Sequence, residues 1–175
     1  MRKIAIVGAE SSGKTTLAVA LGAALGGVVV EEFARAYLDQ HGPQYTEADL
    51  LTIAVAQTRA EDAAMAHAAG MHARAVVCDT DMVTIRIWSE EKFGRCDPWI
   101  IEASEHRPYD LWLLCRPDIP WEPDPLRENP HDRDRLFQVY EAVLKRLGKP
   151  FAVIGGTPAE RLSRALNAID GLDEG

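Results

Sequence analysis

A chain of 175 residues, 47% hydrophobic and 26% charged, has the size and apolar content of one compact domain, with no room for a second catalytic one. Nineteen basic against 27 acidic residues give a net charge of −8, which argues against general nucleic-acid binding.

From the N-terminus, Ile4-Ala5-Ile6-Val7 reads as a short buried strand, too short for the apolar core of a secretory signal. It leads directly into Gly8-Ala9-Glu10-Ser11-Ser12-Gly13-Lys14-Thr15, which fits G-x-x-x-x-G-K-[ST]. Thr16 to Leu25 then reads as a helix ending at Gly26-Gly27. Strand, glycine-rich loop and helix in that order bring backbone N–H groups and a helix N-terminus onto anionic oxygens, so the octet predicts a bound nucleotide. The uncharged stretch from Leu17 to Val30 is shorter than a membrane span and contains three glycines, so it reads as helix, turn and strand.

Val28 to Val30 is the second expected strand, followed by Glu31-Glu32 and a helix over Phe33 to Gln40, broken at His41-Gly42-Pro43. Thr46-Glu47-Ala48-Asp49 has capping-box spacing and opens a long alanine-rich helix that ends near Gly70. A third strand, Ala75 to Cys78, runs into Asp79-Thr80-Asp81, and helices are expected over Met82 to Lys92 and Pro98 to His106. Leu111 to Cys115 is the fourth strand. Residues 116–135 carry five prolines and read as a lid, with Leu136 to Leu147 helical beyond it. Phe151 to Ile154 is the fifth strand, Thr157 to Glu160 caps a last helix, and Gly171 to Gly175 reads as a loose tail. Continuous apolar strands separated by helices predict an α/β fold, a five-stranded parallel sheet covered on both faces.

The chemistry concentrates at the expected carboxyl ends of these strands. Lys14 is suited to reach the β- and γ-phosphates, and Thr15 to place its hydroxyl on Mg²⁺, with Gly8, Glu10, Ser11, Ser12, Gly13 and Thr16 completing the nucleotide loop. Asp79, at the end of an apolar strand, is the natural second carboxylate on the metal side. Asp81 either orients a substrate hydroxyl or caps the next helix. Glu32 is a candidate proton acceptor for an attacking hydroxyl; alternatively it partners Arg35, or rests at the helix N-terminus, where the dipole favours acids. Trp121 argues that part of the proline-rich lid packs, and Arg127, Arg133 and Arg135 follow it, suited to neutralising a transferring phosphate. The turn Gly155-Gly156-Thr157 either passes beside the nucleotide base or simply caps the last helix. Cys78, Cys96 and Cys115 are scattered, without a C-x-x-C pair, as reduced core thiols of a cytoplasmic protein are.

Several blocks together resemble the ribosylnicotinamide kinase domain of NadR-type proteins: GAESSGKTTL (8–17), EEFARAYL (31–38), Ala56-Gln57, CDTDMVT (78–84), YDLWLLCRPDIPWEPDPLR (109–127) and VIGGTPAERL (153–162). The resemblance implies a P-loop NTPase fold of the nucleoside-kinase type in a single domain over 1–175, with a mobile Pro/Arg-rich lid at about 116–135. It further implies ATP and Mg²⁺ as cofactors and phosphorylation of the 5′-hydroxyl of nicotinamide riboside to the mononucleotide. The matching blocks place Glu32, Arg35, Tyr37, Gln57, Asp81 and Trp121 as acceptor-pocket candidates, with Trp88, four residues beyond the CDTDMVT block, alongside them, since aromatic faces and carboxylates attract a cationic pyridinium. Arg127 and Arg133 are the lid candidates, and Gly155 and Thr157 accompany the nucleotide loop. Better-known relatives carry a nucleotidyl-transferase domain ahead of the kinase, and some a helix-turn-helix. Here the loop begins at residue 8, so neither adenylylation nor DNA binding is expected. A kinase for another nucleoside or a small polyol, and a nucleotide-dependent switch, are the alternatives.

Overall fold

Five apolar segments form one parallel sheet: β1 (Arg2–Val7), β2 (Val28–Val30), β3 (Ala75–Asp79), β4 (Leu111–Cys115) and β5 (Phe151–Ile154), in the order β2-β3-β1-β4-β5. The computed structural model describes residues 1–123 and 131–173. Helices α1 (Lys14–Leu25), α2 (Phe33–His41), α3 (Glu47–Gly70), α4 (Met82–Phe93), α5 (Pro98–His106), α6 (Arg133–Arg146) and α7 (Pro158–Asp170) connect and cover the strands.

Strand periodicity explains the layering. Along β1, Ile4 and Ile6 join Leu17, Leu21, Leu113 and Ile169 in a core beneath α1 and α7. Ala5 and Val7 point the other way, into a core with Val83, Ile87, Trp112, Leu114 and Tyr140 from β4, α4 and α6. Each such aliphatic side chain removed from water contributes about 1.5–3 kcal/mol, so both faces of the central strand are strongly specified. A third cluster, with Ala34, Leu50, Ile53, Met82, Ile85 and Ile100, holds α2 to α5 together beside the sheet.

Caps account for the helix boundaries. Thr46 and Asp49 form the expected box at α3, and Thr157 and Glu160 the one at α7. Gly26 ends α1 in the left-handed conformation. Several boundaries differ from the expectation, three of them with a clear consequence. Helix α1 starts at Lys14, so the end of the nucleotide loop is already helical. Helix α6 starts at Arg133, inside the expected lid, because Pro130 is the last proline of that segment and nothing from there to Arg146 bars a helix. Gly171–Asp173 is a 3-10 turn that continues α7 instead of loose tail, with Leu172 packed against the first core. Among the described residues, no helix is long and apolar enough to cross a membrane.

Candidate functional site

Pairing of β1 with β3 sets Ile6 opposite Asp79, and pairing with β4 sets Val7 opposite Leu114. The chain leaving Val7 therefore turns at the carboxyl edge of the sheet between two neighbours, where α/β folds bind ligands. Gly8 has φ 144°, and a Cβ there would meet the Cys115 carbonyl oxygen at 2.8 Å, so only glycine fits. Gly13, at φ 80°, precedes α1 without a side-chain cap, and the first turn holds no acid. The open N–H groups and dipole of α1 thus point at a place that suits an anion.

Lys14 is buried, and its Nζ donates to the carbonyls of Gly8 (3.1 Å) and Ala9 (2.9 Å). The Ser12 hydroxyl donates to Ala9 O at 2.7 Å, tightening the same turn. Thr15 Oγ1 donates to Asp79 Oδ2 at 2.6 Å. Asp79 is 2% exposed, and its Oδ1 has no partner among the described residues. Burial pushes the Asp79 carboxyl up, opposed by the Thr15 hydrogen bond and the Lys14 charge. A hydroxyl beside a buried carboxylate with one open oxygen suits a hard divalent cation. Among the described residues no group of three or more His, Cys, Asp or Glu is placed to hold a metal ion; Thr15 and Asp79 offer two oxygen ligands, a number that fits a cation such as Mg²⁺ that keeps water and phosphate in its remaining positions.

A cavity of about 450 Å³ opens from this loop. Its lining includes residues 9–16 and an apolar set, Leu38, Leu50, Ile53, Ile87, Trp88 and Tyr140, from α2, α3, α4 and α6. Glu32 is in the same lining, at the N-cap position of α2 but with no side-chain capping bond. Burial raises its pKa, with Lys14 opposing and Asp79 adding to the rise.

A family model described as an AAA domain matches residues 3–161. The chain belongs to that family. It is also 30% identical over 141 residues to the trifunctional NAD biosynthesis/regulator protein NadR of Salmonella typhimurium, and to NadR of Escherichia coli at the same level. The alignment covers 77% of this chain and 33% of each relative, so the chain spans about one third of the length of these curated relatives. Two NadR crystal structures match the fold. The one with NR gives a TM-score of 0.77 at 19% identity, over 98% of this chain and 51% of that one. The one with NAD and AMP-PNP gives 0.82 at 20%, over 98% and 49%. A deoxyadenosine kinase from M. mycoides gives 0.66 at 15% identity, over 97% of this chain and 99% of that one. The architecture of this AAA-domain chain is thus the P-loop NTPase fold of the nucleoside-kinase type, as the sequence blocks imply.

Within this AAA-domain chain, Glu10, Ser11, Ser12, Gly13, Lys14, Thr15, Thr16, Glu32, Arg35 and Trp88 line the cavity. Other candidates sit elsewhere. Asp81 is 1% exposed and caps α4: Oδ1 accepts from Thr84 N (3.0 Å) and Thr84 Oγ1 (3.2 Å), and Oδ2 from Trp112 Nε1 (2.7 Å). Of its two expected roles, the cap is the one the geometry contains. Tyr37 does not line the cavity; its hydroxyl donates to Asp49 at 2.6 Å and its ring stacks on His41 at 4.1 Å. Gln57 is buried outside the lining, where its Oε1 accepts from Phe33 N (2.9 Å) and anchors the start of α2 next to Glu32. Trp121 lies 5.7 Å from the Arg133 guanidinium. Arg133 Nη1 donates to the carbonyls of Ser11 (3.0 Å) and Ile119 (2.9 Å), bracing the loop. Thr157 caps α7, and Gly155 O accepts from Arg164 Nη1 at 2.9 Å; neither residue lines the cavity. Arg127 lies outside the described residues.

Arg135, one of the three arginines the sequence names in the lid, lines the cavity and pairs with Glu91 and Asp132. Two residues escape the sequence reading of the site. Tyr140 contributes to the apolar lining but reads in sequence as one more apolar helix position, four residues after Leu136. Arg161, 3% exposed, donates to Gly156 O (2.8 Å), Ser12 O (2.7 Å) and Arg116 O (2.9 Å), and pairs with Asp118. Its only signal is its place in the closing block VIGGTPAERL.

Proposed function

We propose that this chain is an ATP-dependent small-molecule kinase, phosphorylating the 5′-hydroxyl of nicotinamide riboside. The observation that carries the reading is that one cavity is lined both by residues 9–16 and by an apolar set that includes Trp88 and Tyr140, with Glu32 in the same lining. Such a cavity suits a phosphoryl donor on the loop and an acceptor on the apolar set, with a carboxylate to take the acceptor's proton. A nucleotide-dependent switch has no need of the apolar set. Similarity to NadR, whose structures carry NR in one case and NAD with AMP-PNP in the other, supports this choice of acceptor.

The loop N–H groups, the α1 N-terminus and Lys14 hold the donor polyphosphate. Thr15 and Asp79 would hold Mg²⁺, which neutralises charge on the phosphate oxygens when bound. Glu32 accepts the proton of the acceptor hydroxyl as its oxygen attacks the γ-phosphorus; the bond to the β-bridging oxygen breaks, leaving ADP and the phosphate ester. The raised affinity of Glu32 for a proton suits this step. Trp88 and the Glu91 carboxylate on α4 give the cavity an aromatic face and an acid for a pyridinium ring.

Among the described residues, the cavity lining holds four acids (Glu10, Glu32, Glu91, Glu122) and four bases (Lys14, Arg35, Lys92, Arg135). That balance favours a second reading, a kinase for an uncharged nucleoside or small polyol, which needs no excess of carboxylate. Release of ADP from Mg·ATP, with and without nicotinamide riboside and with mass detection of product, decides between them. Strong stimulation with the mononucleotide formed supports the first reading. Stimulation only by other nucleosides or polyols moves the chain to the second, and slow hydrolysis indifferent to every acceptor rejects the kinase.

A further inference from the structure

Among the described residues, three that are not glycine have positive φ: Ser11 (52°), His72 (56°) and Thr80 (84°). Ser11 and His72 lie near the left-handed minimum at about 57°. Thr80 stands farther out and is β-branched, a combination that is a steric outlier because the branched Cβ crowds the backbone. It is 1% exposed, and its hydroxyl has no hydrogen-bond partner among the described residues, so no bond of its own side chain accounts for the conformation.

What the conformation does is separate two acids. Along β3, Ala75 and Val77 join the first core beneath α1, while Val76 and Cys78 pack with Val30 and Ala68 on the other face. Asp79 continues the first row and meets the Thr15 hydroxyl of α1 at 2.6 Å. An extended Thr80 would set Asp81 in that same row. Instead Asp81 accepts from Thr84 N of α4 (3.0 Å) and from the Trp112 indole (2.7 Å), and Trp112 belongs to the core on the opposite face. The Thr80 N–H donates to Ile6 O at 3.1 Å, so the turn is fastened to β1 as well as at both acids. Backbone strain persists where the surroundings over-determine it, and it collects at functional sites.

We propose that Thr80 is a positioning residue of the nucleotide site, whose left-handed backbone sends Asp79 and Asp81 to opposite faces and whose branched side chain keeps Asp79 beside Thr15 for the cation. The assignment rests on the reading of Asp79 as the metal-side carboxylate. Glycine reaches the same φ without strain, but it opens many other conformations to the peptide that carries Asp79. Valine keeps the branch and removes only the unpartnered hydroxyl.

The test measures ADP binding by calorimetry, with and without Mg²⁺, in the full chain and in its Thr80→Gly, Thr80→Val and Asp79→Asn variants. Mg²⁺ should tighten ADP binding to the wild type. Thr80→Gly should lose about tenfold of that gain, as changes behind a metal ligand do, while binding of ADP alone stays within about twofold. Thr80→Val should keep the gain, a rescue that a need for the hydroxyl would not allow. Thr80→Asn, which accepts positive φ without a branched Cβ, replaces the glycine variant if that one does not fold, and should show the same loss.

A full gain in Thr80→Gly or its asparagine replacement overturns the assignment. So does an equal loss in Thr80→Val, or a fall of the same size in the binding of ADP alone. Asp79→Asn separates these failures from failure of the reading beneath them. A gain preserved in Asp79→Asn, or wild-type binding indifferent to Mg²⁺, rejects Asp79 as the metal-side carboxylate and the assignment with it. A gain lost in Asp79→Asn but kept in Thr80→Gly rejects the assignment alone. A Thr80-dependent gain in a protein that phosphorylates no acceptor would reject the kinase reading and leave the assignment standing.

Discussion

The Arg161 guanidinium donates to the Ser12 carbonyl at 2.7 Å, joining α7 to the nucleotide loop across 149 residues of sequence. The same side chain reaches Gly156 O, Arg116 O and Asp118, and Asp118 in turn accepts from Gly156 N at 2.7 Å. One buried cation therefore fixes the loop, the exit of β4 and the turn after β5 relative to one another. Arg161→Ala leaves three carbonyls short of a donor and should cost about 2 kcal/mol of stability. Arg161→Lys supplies a point charge without the planar fork, and should recover part of the stability while the ATP KM stays raised several-fold. Denaturant midpoints and steady-state kinetics check this; an unchanged ATP KM in both variants would reduce Arg161 to a fold element.

The Thr15–Asp79 pair makes a separate prediction. Asp79→Asn keeps the side-chain shape but removes the charge beside the expected cation, so turnover should fall about 100-fold or more at fixed Mg²⁺. The concentration of Mg²⁺ needed for half-maximal rate should rise as well. A magnesium titration of both proteins measures it, and a half-maximal concentration equal to the wild type would remove Asp79 from the metal side.

Glu32 links activity to stability through pH. Its folded pKa is raised by burial, so the native state holds that proton more tightly than the unfolded chain does. Stability therefore falls as pH rises from the ordinary carboxylate range through the raised value, while activity rises over the same window as the base ionises. Asp79, raised for the same cause, adds a contribution of the same sign. Glu32→Gln should be more stable than wild type at neutral pH and slower by about 10²–10⁴-fold. Unfolding curves and kcat/KM from acid to neutral pH test both halves, and a less stable Glu32→Gln protein would contradict the burial argument.

The outer architecture is legible in the chain because the apolar runs of β1, β3 and β4 and the capping boxes at Thr46 and Thr157 are local signals. The nucleotide loop is legible for the same reason. What is not local escapes: Arg161 gains its meaning from contacts more than 40 residues away, and Tyr140 from an apolar cavity lining drawn from four helices. Tyr37 shares a block with Glu32 and Gln57 stands in another, yet one faces Asp49 and the other Phe33, because helical rotation and not proximity in sequence decides which side chains meet the cavity. Arg135 stands in the sequence as one of three lid arginines, and its place in the cavity lining and its pairing with Glu91 separate it from Arg133.

Asp81 and Glu32 are the two acids the sequence leaves open for the acceptor hydroxyl, and their surroundings separate them. Both Asp81 oxygens are occupied, by Thr84 on α4 and by the Trp112 indole from β4, and the carboxylate lies outside the cavity. An amide at that position turns an NH₂ group toward one of those donors, and alanine leaves Trp112 Nε1 and Thr84 N unpaired. Asp81→Asn and Asp81→Ala should each lose about 2–3 kcal/mol of stability, with acceptor KM and turnover of the folded fraction within a few-fold of wild type. Thermal unfolding and single-turnover assays below the melting transition separate the two effects. A stable Asp81→Asn protein with turnover reduced 100-fold would return the acceptor hydroxyl to Asp81 and leave Glu32 as the partner of Arg35.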